Sequence, residues 1–217
     1  MAIIFDLDGT LINSFNIHSE LIKEAIDKVV GKNLISMQFI QNNIRFPSKK
    51  MLGIASQKYH LNLTDKKMEE IIKLKDELFT ERYIKKIKFY QGALQLIKFL
   101  KIKKITFCIA TSMNDEELAK IEPYLNLHSL AKIVNSPALK YEKPDPYVIN
   151  KAIKLIKAER KKTFYVGDAE TDYEASVNAR VKFIGVNNPL LKDLGYRYFK
   201  DIKSLLSFIK KNYLDFL

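Results

Sequence analysis

The feature that most constrains the fold of this chain is a short apolar run that ends directly in two aspartates. Residues 3–5 read as a buried strand, and Asp6-Leu7-Asp8-Gly9-Thr10 follows at once. A strand that ends this way places carboxylates at the carboxyl edge of a sheet, where open α/β sheets bind their ligands. Two carboxylates about 4 Å apart repel by roughly 4 kcal/mol at an effective dielectric constant of about 20. A divalent cation would offset this repulsion, and Mg²⁺ typically binds one or two carboxylates together with phosphate and water.

A second apolar run, at residues 163–166, also ends in acid. Asp168 and Asp172 follow it four residues apart, so a helix that starts here places both on one face of its first turn. Turns without a ligand are the alternative, because Asp and Gly are common turn residues. Two such junctions in one chain favour a single Mg²⁺ site made by four carboxylates, Asp6, Asp8, Asp168 and Asp172.

Two further segments have the chemistry to hold an anion. The apolar strand at residues 105–110 ends in Thr111-Ser112, and hydroxyls followed by the amides of a helix start suit a phosphate. An ordinary Ser/Thr helix cap is the alternative there. Lys143 precedes Pro144 in Lys-Pro-Asp-Pro, where two prolines stiffen the loop that carries the lysine. The alternative at Lys143 is a solvated lysine, one of many in this chain.

In this order, the four segments resemble the haloacid dehalogenase superfamily, in its phosphohydrolase branch, over essentially the whole chain. The resemblance implies that Asp6 is the nucleophile and Asp8 the general acid and base. It also implies that Mg²⁺ is held by Asp6, Asp168 and the main-chain carbonyl of Asp8, while Asp172 orients a metal-bound water. The dehalogenases of the superfamily lack the second aspartate, so Asp8 favours phosphoryl transfer.

The same resemblance assigns the residues that bind the phosphoryl group. It implies that the Thr111 hydroxyl holds the transferring group and that Lys143 neutralises both nucleophile and phosphate. It adds the backbone N–H groups at Gly9 and Ser112 as further donors to the phosphate. These expectations describe a phosphatase that acts through an aspartyl-phosphate.

The pattern of apolar residues predicts an α/β fold with a small helical insert. Residues 1–13 and 89–217 alternate strands and helices, which is typical of a Rossmann-like parallel sheet with helices on both faces. Residues 14–88 carry apolar residues at helical spacing, with Thr64 as an N-cap, and resemble the helical cap of the family. A cap of this kind selects the substrate and excludes water.

Three residues of the insert are candidates for substrate binding. His18 resembles a histidine of the β-phosphoglucomutase group, with a polar-face histidine as the alternative. Arg45 is either a bidentate ligand for a substrate anion or a solvated arginine. Lys75 falls inside the apolar stripe of its helix, so it either extends to solvent or faces a wet cleft. The chain departs from the family pattern at Asn13-Ser14 and at Arg180, where a non-Gly residue is expected at positive φ.

Composition bounds the partners and the compartment. The chain of 217 residues has a net charge of +12, but its lysines occur as scattered doublets, which favours solvated helix faces over a polyanion-binding patch. The one cysteine, Cys108, lies in an apolar strand and indicates a reducing cytoplasm. No apolar stretch has the length of a signal peptide or a membrane span, so no membrane is expected as a partner. The scattered lysines likewise do not favour a nucleic acid as a partner.

We therefore expect a Mg²⁺-dependent phosphatase for a small phosphomonoester such as phosphoglycolate, a sugar phosphate or a nucleotide. The main alternative is a phosphomutase of the β-phosphoglucomutase type, which returns the phosphoryl group to the sugar. A polyanion-binding module that has kept the fold is a third possibility, against which the complete carboxylate set argues.

Overall fold

The chain forms two compact units. The structure is a computed structural model that describes residues 1–31, 33–44, 46–80, 84–138 and 141–212. One unit consists of Met1–Asn13 and Lys88–Leu217, and the other of Ser14–Ile87. We call them the α/β unit and the helical unit. None of the helices among the described residues is long and apolar enough to cross a membrane.

A six-stranded parallel sheet forms the centre of the α/β unit, in the order β3-β2-β1-β4-β5-β6. The strands are β1 (Ala2–Phe5), β2 (Thr106–Ala110), β3 (Ile133–Val134), β4 (Thr163–Gly167), β5 (Lys182–Val186) and β6 (Arg197–Phe199). The helices are α5 (Ala93–Ile102), α6 (Asp115–Leu125), α7 (Leu127–Leu130), α8 (Tyr147–Leu155), α9 (Glu170–Asn178) and α10 (Ile202–Lys211). This confirms the predicted α/β class with a parallel sheet.

The register of the three central strands brings their carboxyl ends to one level. Phe5 on β1 pairs with Ile109 on β2 and with Val166 on β4. The residues that follow these strands therefore emerge side by side at the same edge. β1 lies at the point where the strand order reverses, which is where such sheets form a ligand crevice.

Strand prediction succeeded for every strand of the sheet except β3. The strands expected at 105–110, 163–166, 182–186 and 196–199 agree with β2, β4, β5 and β6 to within one residue. β3 has only two residues, which is too short to give an alternation pattern.

The helical unit contains α1 (Ser14–Val29), α2 (Met37–Asn43), α3 (Ser48–Lys58) and α4 (Asp65–Leu78). Its core includes the fully buried side chains of Ile22, Ile26, Ile40, Met51 and Ile71. Thr64 accepts a hydrogen bond from the amide of Lys67, which confirms the predicted N-cap of α4. The sequence did not predict α2, a helix of two turns.

Candidate active site

The ammonium group of Lys143 joins the two acidic junctions of the α/β unit. Its Nζ atom lies 2.5 Å from Asp6 Oδ1 and 2.6 Å from Asp172 Oδ1. Asp6 directly follows β1 and Asp172 lies in the first turn of α9, the helix after β4. All three side chains are buried. This convergence excludes the alternative of a solvated lysine at Lys143.

The carboxylate of Asp172 is held from both sides. Its Oδ2 atom accepts the backbone amides of Asp168 and Ala169, each at 3.0 Å, which caps the start of α9. Its Oδ1 atom faces Lys143. Because both oxygens have donors from the protein, Asp172 fixes the loop after β4 and positions the ammonium group.

Tyr165 on β4 completes the surroundings of Lys143. Its hydroxyl lies 3.2 Å from Lys143 Nζ, 3.3 Å from Asp172 Oδ1 and 3.1 Å from the carbonyl oxygen of Ala110. With Asp6 and Asp172, this gives an acceptor for each of the three N–H bonds of the ammonium group. Burial, only partly offset by Lys143, raises the pKa of Tyr165 well above its usual value, so the hydroxyl keeps its proton.

Three side chains that follow β1 and β5 fix the loops that carry the acids. Thr10 Oγ1 donates to Asp168 Oδ1 at 3.2 Å. Asn187 Nδ2 donates to the carbonyl of Gly9 at 2.8 Å, and Asn188 Nδ2 donates to the carbonyl of Asp168 at 2.7 Å. The loop after β5 therefore holds the loops after β1 and β4 in place.

The residues predicted to bind phosphate lie at this edge, and several already have backbone or side-chain partners. Thr111 is buried, and its Oγ1 accepts the amide of Met113 at 3.1 Å. Ser112 Oγ accepts the amide of Lys143 at 3.2 Å and so joins the loop after β2 to the lysine loop. The amide of Gly9 donates to the carbonyl of Ile12 at 3.0 Å.

The cap of α6 is not the Ser/Thr cap that was considered for this loop. Asn114 accepts the amide of Glu117, and the Glu117 carboxylate accepts the amide of Asn114 in return. Thr111 and Ser112 are therefore not needed to start the helix.

The acids around Asp6 raise its proton affinity. Burial raises the pKa of Asp6 well above its usual range, Lys143 lowers it, and Asp172, Asp168 and Asp8 raise it further. Burial alone would lower the pKa of Lys143, but the two carboxylates beside it hold that pKa well above its usual value. The site thus holds one permanent cation, Lys143, among four carboxyl groups.

Comparison with known proteins decides the family. Residues 3–186 match the haloacid dehalogenase-like hydrolases. The chain belongs to this family. A phosphoglycolate phosphatase from Aquifex aeolicus is 28% identical over 182 residues, which cover 83% of this chain and 82% of the relative. A pyrophosphatase from Bacillus mycoides is 23% identical over 192 residues, which cover 86% and 83%. The crystal structure of a hydrolase from Pseudomonas syringae has a TM-score of 0.76 and 27% identity, covering 97% of this chain and 98% of that one.

The site of this haloacid dehalogenase-like hydrolase has the donors that a hard cation requires. One carboxylate oxygen each of Asp6, Asp168 and Asp172 lie within 4.8 Å of one another, and all three residues are buried. A Cβ atom at Gly9, whose φ is +71°, would overlap the Asp168 carboxylate, so only glycine allows this close approach. Carboxylate and carbonyl oxygens are the ligands that Mg²⁺ takes in proteins. The residues present therefore fit a divalent cation.

The candidate substrate residues of the hydrolase lie in the helical unit. His18 on α1 stacks on Phe79, with ring centroids 5.3 Å apart and an angle of 17° between the rings. Burial and the nearby charge of Lys75 lower the pKa of His18 to about 3, so its imidazole is neutral. Lys75 Nζ lies 3.0 Å from Asp76 Oδ1, and its side chain is 16% exposed. Arg45 lies outside the described residues.

The sequence did not reveal Tyr165, Asn187 or Asn188 as residues of the site. Tyr165 lies inside an apolar strand, where an aromatic residue predicts core packing. A buried tyrosine hydroxyl usually finds a partner, which is the one signal that pointed to a polar role. The two asparagines follow β5 at the same edge, so the rule that identified Asp168 applies to them as well.

Proposed function

We propose that the protein is a Mg²⁺-dependent phosphatase that hydrolyses a small-molecule phosphomonoester through an aspartyl-phosphate on Asp6. The observation that carries the proposal is the position of Lys143 between the carboxylates of Asp6 and Asp172. A buried ammonium group that contacts both the nucleophile Asp6 and Asp172 is placed to neutralise a phosphoryl group that enters beside Asp6. The phosphatase relatives and the family support the same activity.

In the first step, a carboxylate oxygen of Asp6 attacks phosphorus in line with the ester oxygen. The Asp6 O–P bond forms as the P–O bond to the alcohol breaks, and Asp8 donates a proton to the leaving oxygen. Lys143 holds Asp6 Oδ1, which fixes the rotation of the nucleophile before the substrate arrives. The ammonium group also lies where the negative charge of the phosphoryl oxygens increases.

In the second step, water attacks the phosphorus of the aspartyl-phosphate. Asp8, now deprotonated, takes a proton from this water as the Asp6 O–P bond breaks, which releases phosphate and restores Asp6. The same side chain therefore acts as acid and then as base. We assign Thr111 and the amide of Ser112 to the remaining phosphoryl oxygens.

The carboxylates of Asp6 and Asp168 and the main-chain carbonyl of Asp8 would hold Mg²⁺, which when bound neutralises phosphoryl charge. We leave Asp172 out of the direct ligand set, because its two oxygens already accept hydrogen bonds from Lys143 and from two backbone amides. Asp172 instead positions Lys143, and it would orient a water molecule bound to the ion.

We assign the choice of substrate to the helical unit, with His18, Arg45 and Lys75 as its candidate residues. A small phosphorylated metabolite is the expected substrate, since named relatives act on phosphoglycolate or on pyrophosphate. We place the protein in the cytoplasm, in line with the single, buried Cys108 thiol.

The proposal is tested by trapping the intermediate. The protein is mixed with Mg²⁺ and a panel of phosphoglycolate, sugar phosphates, nucleotides and pyrophosphate, and is quenched in acid before mass spectrometry. We expect one added phosphoryl group on the peptide that contains Asp6 and release of inorganic phosphate. Asp6→Asn should abolish both, while Asp193→Asn, at an exposed acid, should change neither.

Other outcomes would contradict the proposal in distinguishable ways. Conversion of a sugar phosphate to its isomer without release of phosphate would identify the phosphomutase alternative. Turnover by Asp6→Asn at the wild-type rate would remove the nucleophile assignment. Full activity in EDTA would remove the requirement for Mg²⁺.

A further inference from the structure

Three helices of the α/β unit end in the same unusual way. α5, α8 and α9 each end in a Schellman motif, and the residue in the left-handed conformation is Lys104 (φ +54°), Lys157 (φ +53°) and Arg180 (φ +56°), respectively. The paired hydrogen bonds of the motif are present in each case: 104→101 with 105→100, 157→154 with 158→153, and 180→177 with 181→176. In each of the three motifs, a lysine or arginine therefore occupies the position that is normally glycine.

Attraction to the helix dipole does not explain this placement. A cation anywhere in the last turn interacts favourably with the C-terminal end of a helix, and it can do so with ordinary backbone angles. A side chain in the left-handed region is strained because its Cβ approaches the following carbonyl. The three residues thus carry a backbone strain that the dipole alone does not require.

The three helix ends lie at the amino edge of the sheet, opposite the active site of the same unit. Ala2 on β1 is level with Thr106 on β2 and Thr163 on β4, and Phe164 is level with Lys182 on β5. The connections that lead into β2, β4 and β5 therefore reach the same edge side by side. We call residues 101–105, 154–162 and 178–182 the basic edge.

The basic edge carries most of the net charge of the protein. Its residues include ten lysines and arginines and one acid, Glu159, against a net charge of +12 for the whole chain. All ten cations are exposed. Glu159 pairs with Lys162 at 2.9 Å. This surface is therefore complementary to a polyanion.

Large apolar side chains are exposed directly beside these cations. Ile102 at the end of α5 is 67% exposed, Leu155 at the end of α8 is 41% exposed and Val177 near the end of α9 is 53% exposed. Each precedes the left-handed cation of its own helix by two or three residues. The same pair, an aliphatic side chain followed by a cation, thus occurs at all three helix ends.

We propose that the basic edge docks the protein on an anionic lipid surface. Cations near such a surface are attracted to the anionic headgroups. Neighbouring aliphatic side chains bury apolar surface at the boundary between the headgroups and the acyl chains, which strengthens binding. The phosphates of a nucleic acid would pair with the cations equally well, but a nucleic acid would not bury the aliphatic side chains. Proteins that bind single strands stack the bases on aromatic side chains instead. Docking of this kind needs no membrane-spanning helix, so the lack of an apolar span in the sequence does not oppose it.

The first experiment measures co-sedimentation of the full chain with vesicles. Vesicles of phosphatidylcholine with about one third phosphatidylserine are compared with pure phosphatidylcholine at low and at physiological salt. We expect binding to the anionic vesicles alone, weakening as salt increases. The triple variant K104G, K157G and R180G should lower the partition coefficient about 100-fold, since each cation contributes about a factor of five.

This variant cannot lose binding through a folding defect of the three motifs, because glycine is the residue that the left-handed position favours. The matched control is K66Q, K67Q and K73Q on α4, which removes the same net charge from exposed residues of the helical unit. We expect the control to retain most of the binding. Equal losses in both triple variants would show a non-specific effect of net charge and would overturn the proposal.

A third triple variant separates lipid from nucleic acid. I102Q, L155Q and V177Q keep every charge of the basic edge, and we expect them to lower vesicle binding about tenfold or more, because aliphatic insertion is lost. The same variants are titrated with a single-stranded and a double-stranded RNA. Binding to RNA without binding to anionic vesicles, or vesicle binding that the glutamine variants leave unchanged, would overturn the lipid assignment. Phosphatase activity in solution should remain at the wild-type level in all three variants.

Discussion

The hydroxyl oxygen of Tyr165 lies 3.2 Å from the ammonium nitrogen of Lys143, inside a site where both side chains are buried. The same hydroxyl donates its one proton to the carbonyl of Ala110, which directly precedes Thr111. Tyr165 thus fixes the third N–H bond of Lys143 and also the peptide group next to the predicted phosphate ligand. Its role is to position these groups, since nothing requires it to react.

Tyr165→Phe should leave one N–H of Lys143 and the Ala110 carbonyl without their partners. A buried group that loses its hydrogen-bond partner costs about 1–3 kcal/mol, so the free energy of unfolding should decrease by that amount. We expect kcat/KM on the best phosphomonoester to fall about tenfold, mainly through kcat, because the ammonium group is less well placed for the transition state. Steady-state kinetics and urea unfolding are the measurements, with Tyr124→Phe at an exposed tyrosine as control. Unchanged kcat in a destabilised variant would limit Tyr165 to a structural role.

Lys143→Met should leave the two buried carboxylates of Asp6 and Asp172 without their cation. Breaking a buried ion pair by removing one partner costs about 3–5 kcal/mol, and the activity should be lost with it. Because a divalent cation would replace part of the lost charge, Mg²⁺ should raise the melting temperature of the variant more than that of the wild type. Thermal unfolding in EDTA and in Mg²⁺ checks this, with Lys66→Met as the surface control. A variant that Mg²⁺ does not stabilise would argue against a cation among these acids.

The sequence predicted the acids and the lysine of the site because their signal is local. Asp6 and Asp168 each follow a buried apolar run, and parallel strands place such residues at one edge whatever the loops between them do. The fold class followed from the same alternation of strands and helices. The predictions of the strands and of the fold class therefore succeeded where a short stretch of sequence determines both the element and its end.

The contacts within the site could not be predicted, because they depend on residues far apart in the chain. The sequence pattern places Tyr165 in the core. Its polar role depends on hydrogen bonds of its hydroxyl with Ala110 and Lys143, which are 55 and 22 residues away in the sequence. The amide of Gly9 was expected to bind phosphate, yet the turn after β1 directs it to the carbonyl of Ile12. Turn geometry and long-range packing, rather than residue type, decide these details.

His18 should make the stability of the protein depend on pH in the acid range. Its pKa is about 3 in the folded chain because of burial and Lys75, and a histidine in an unfolded chain has a pKa of about 6.5. Between these values the unfolded state binds the extra proton, so the free energy of unfolding increases with pH up to about 6.5 and is then level. One such group contributes a slope of at most about 1.4 kcal/mol per pH unit.

His18→Phe removes this titration and retains a ring that can stack on Phe79. The difference in unfolding free energy between variant and wild type should therefore change between pH 4 and 6.5 and stay constant above pH 7. Urea unfolding across this range measures it. Parallel curves at all pH values would show that His18 is protonated as freely in the folded chain as in the unfolded one.

The three left-handed cations at the helix ends should make the protein less stable than it would be with glycine. Lys104, Lys157 and Arg180 have φ values between +53° and +56°, where a Cβ atom is disfavoured. Lys104→Gly, Lys157→Gly and Arg180→Gly should each raise the free energy of unfolding by about 0.5–1 kcal/mol after the greater entropy of glycine in the unfolded chain is included. The three effects should add, because the positions lie on different helices.

The matched controls are the alanine variants at the same positions, which remove the charge and keep the strain. Urea unfolding should show no increase in their free energy of unfolding. Equal stability of the glycine and alanine variants would show that the left-handed backbone at these positions is not strained. If the glycine triple variant is more stable to unfolding and also binds vesicles less well than the wild type, then these three cations favour vesicle binding and reduce the stability of the fold.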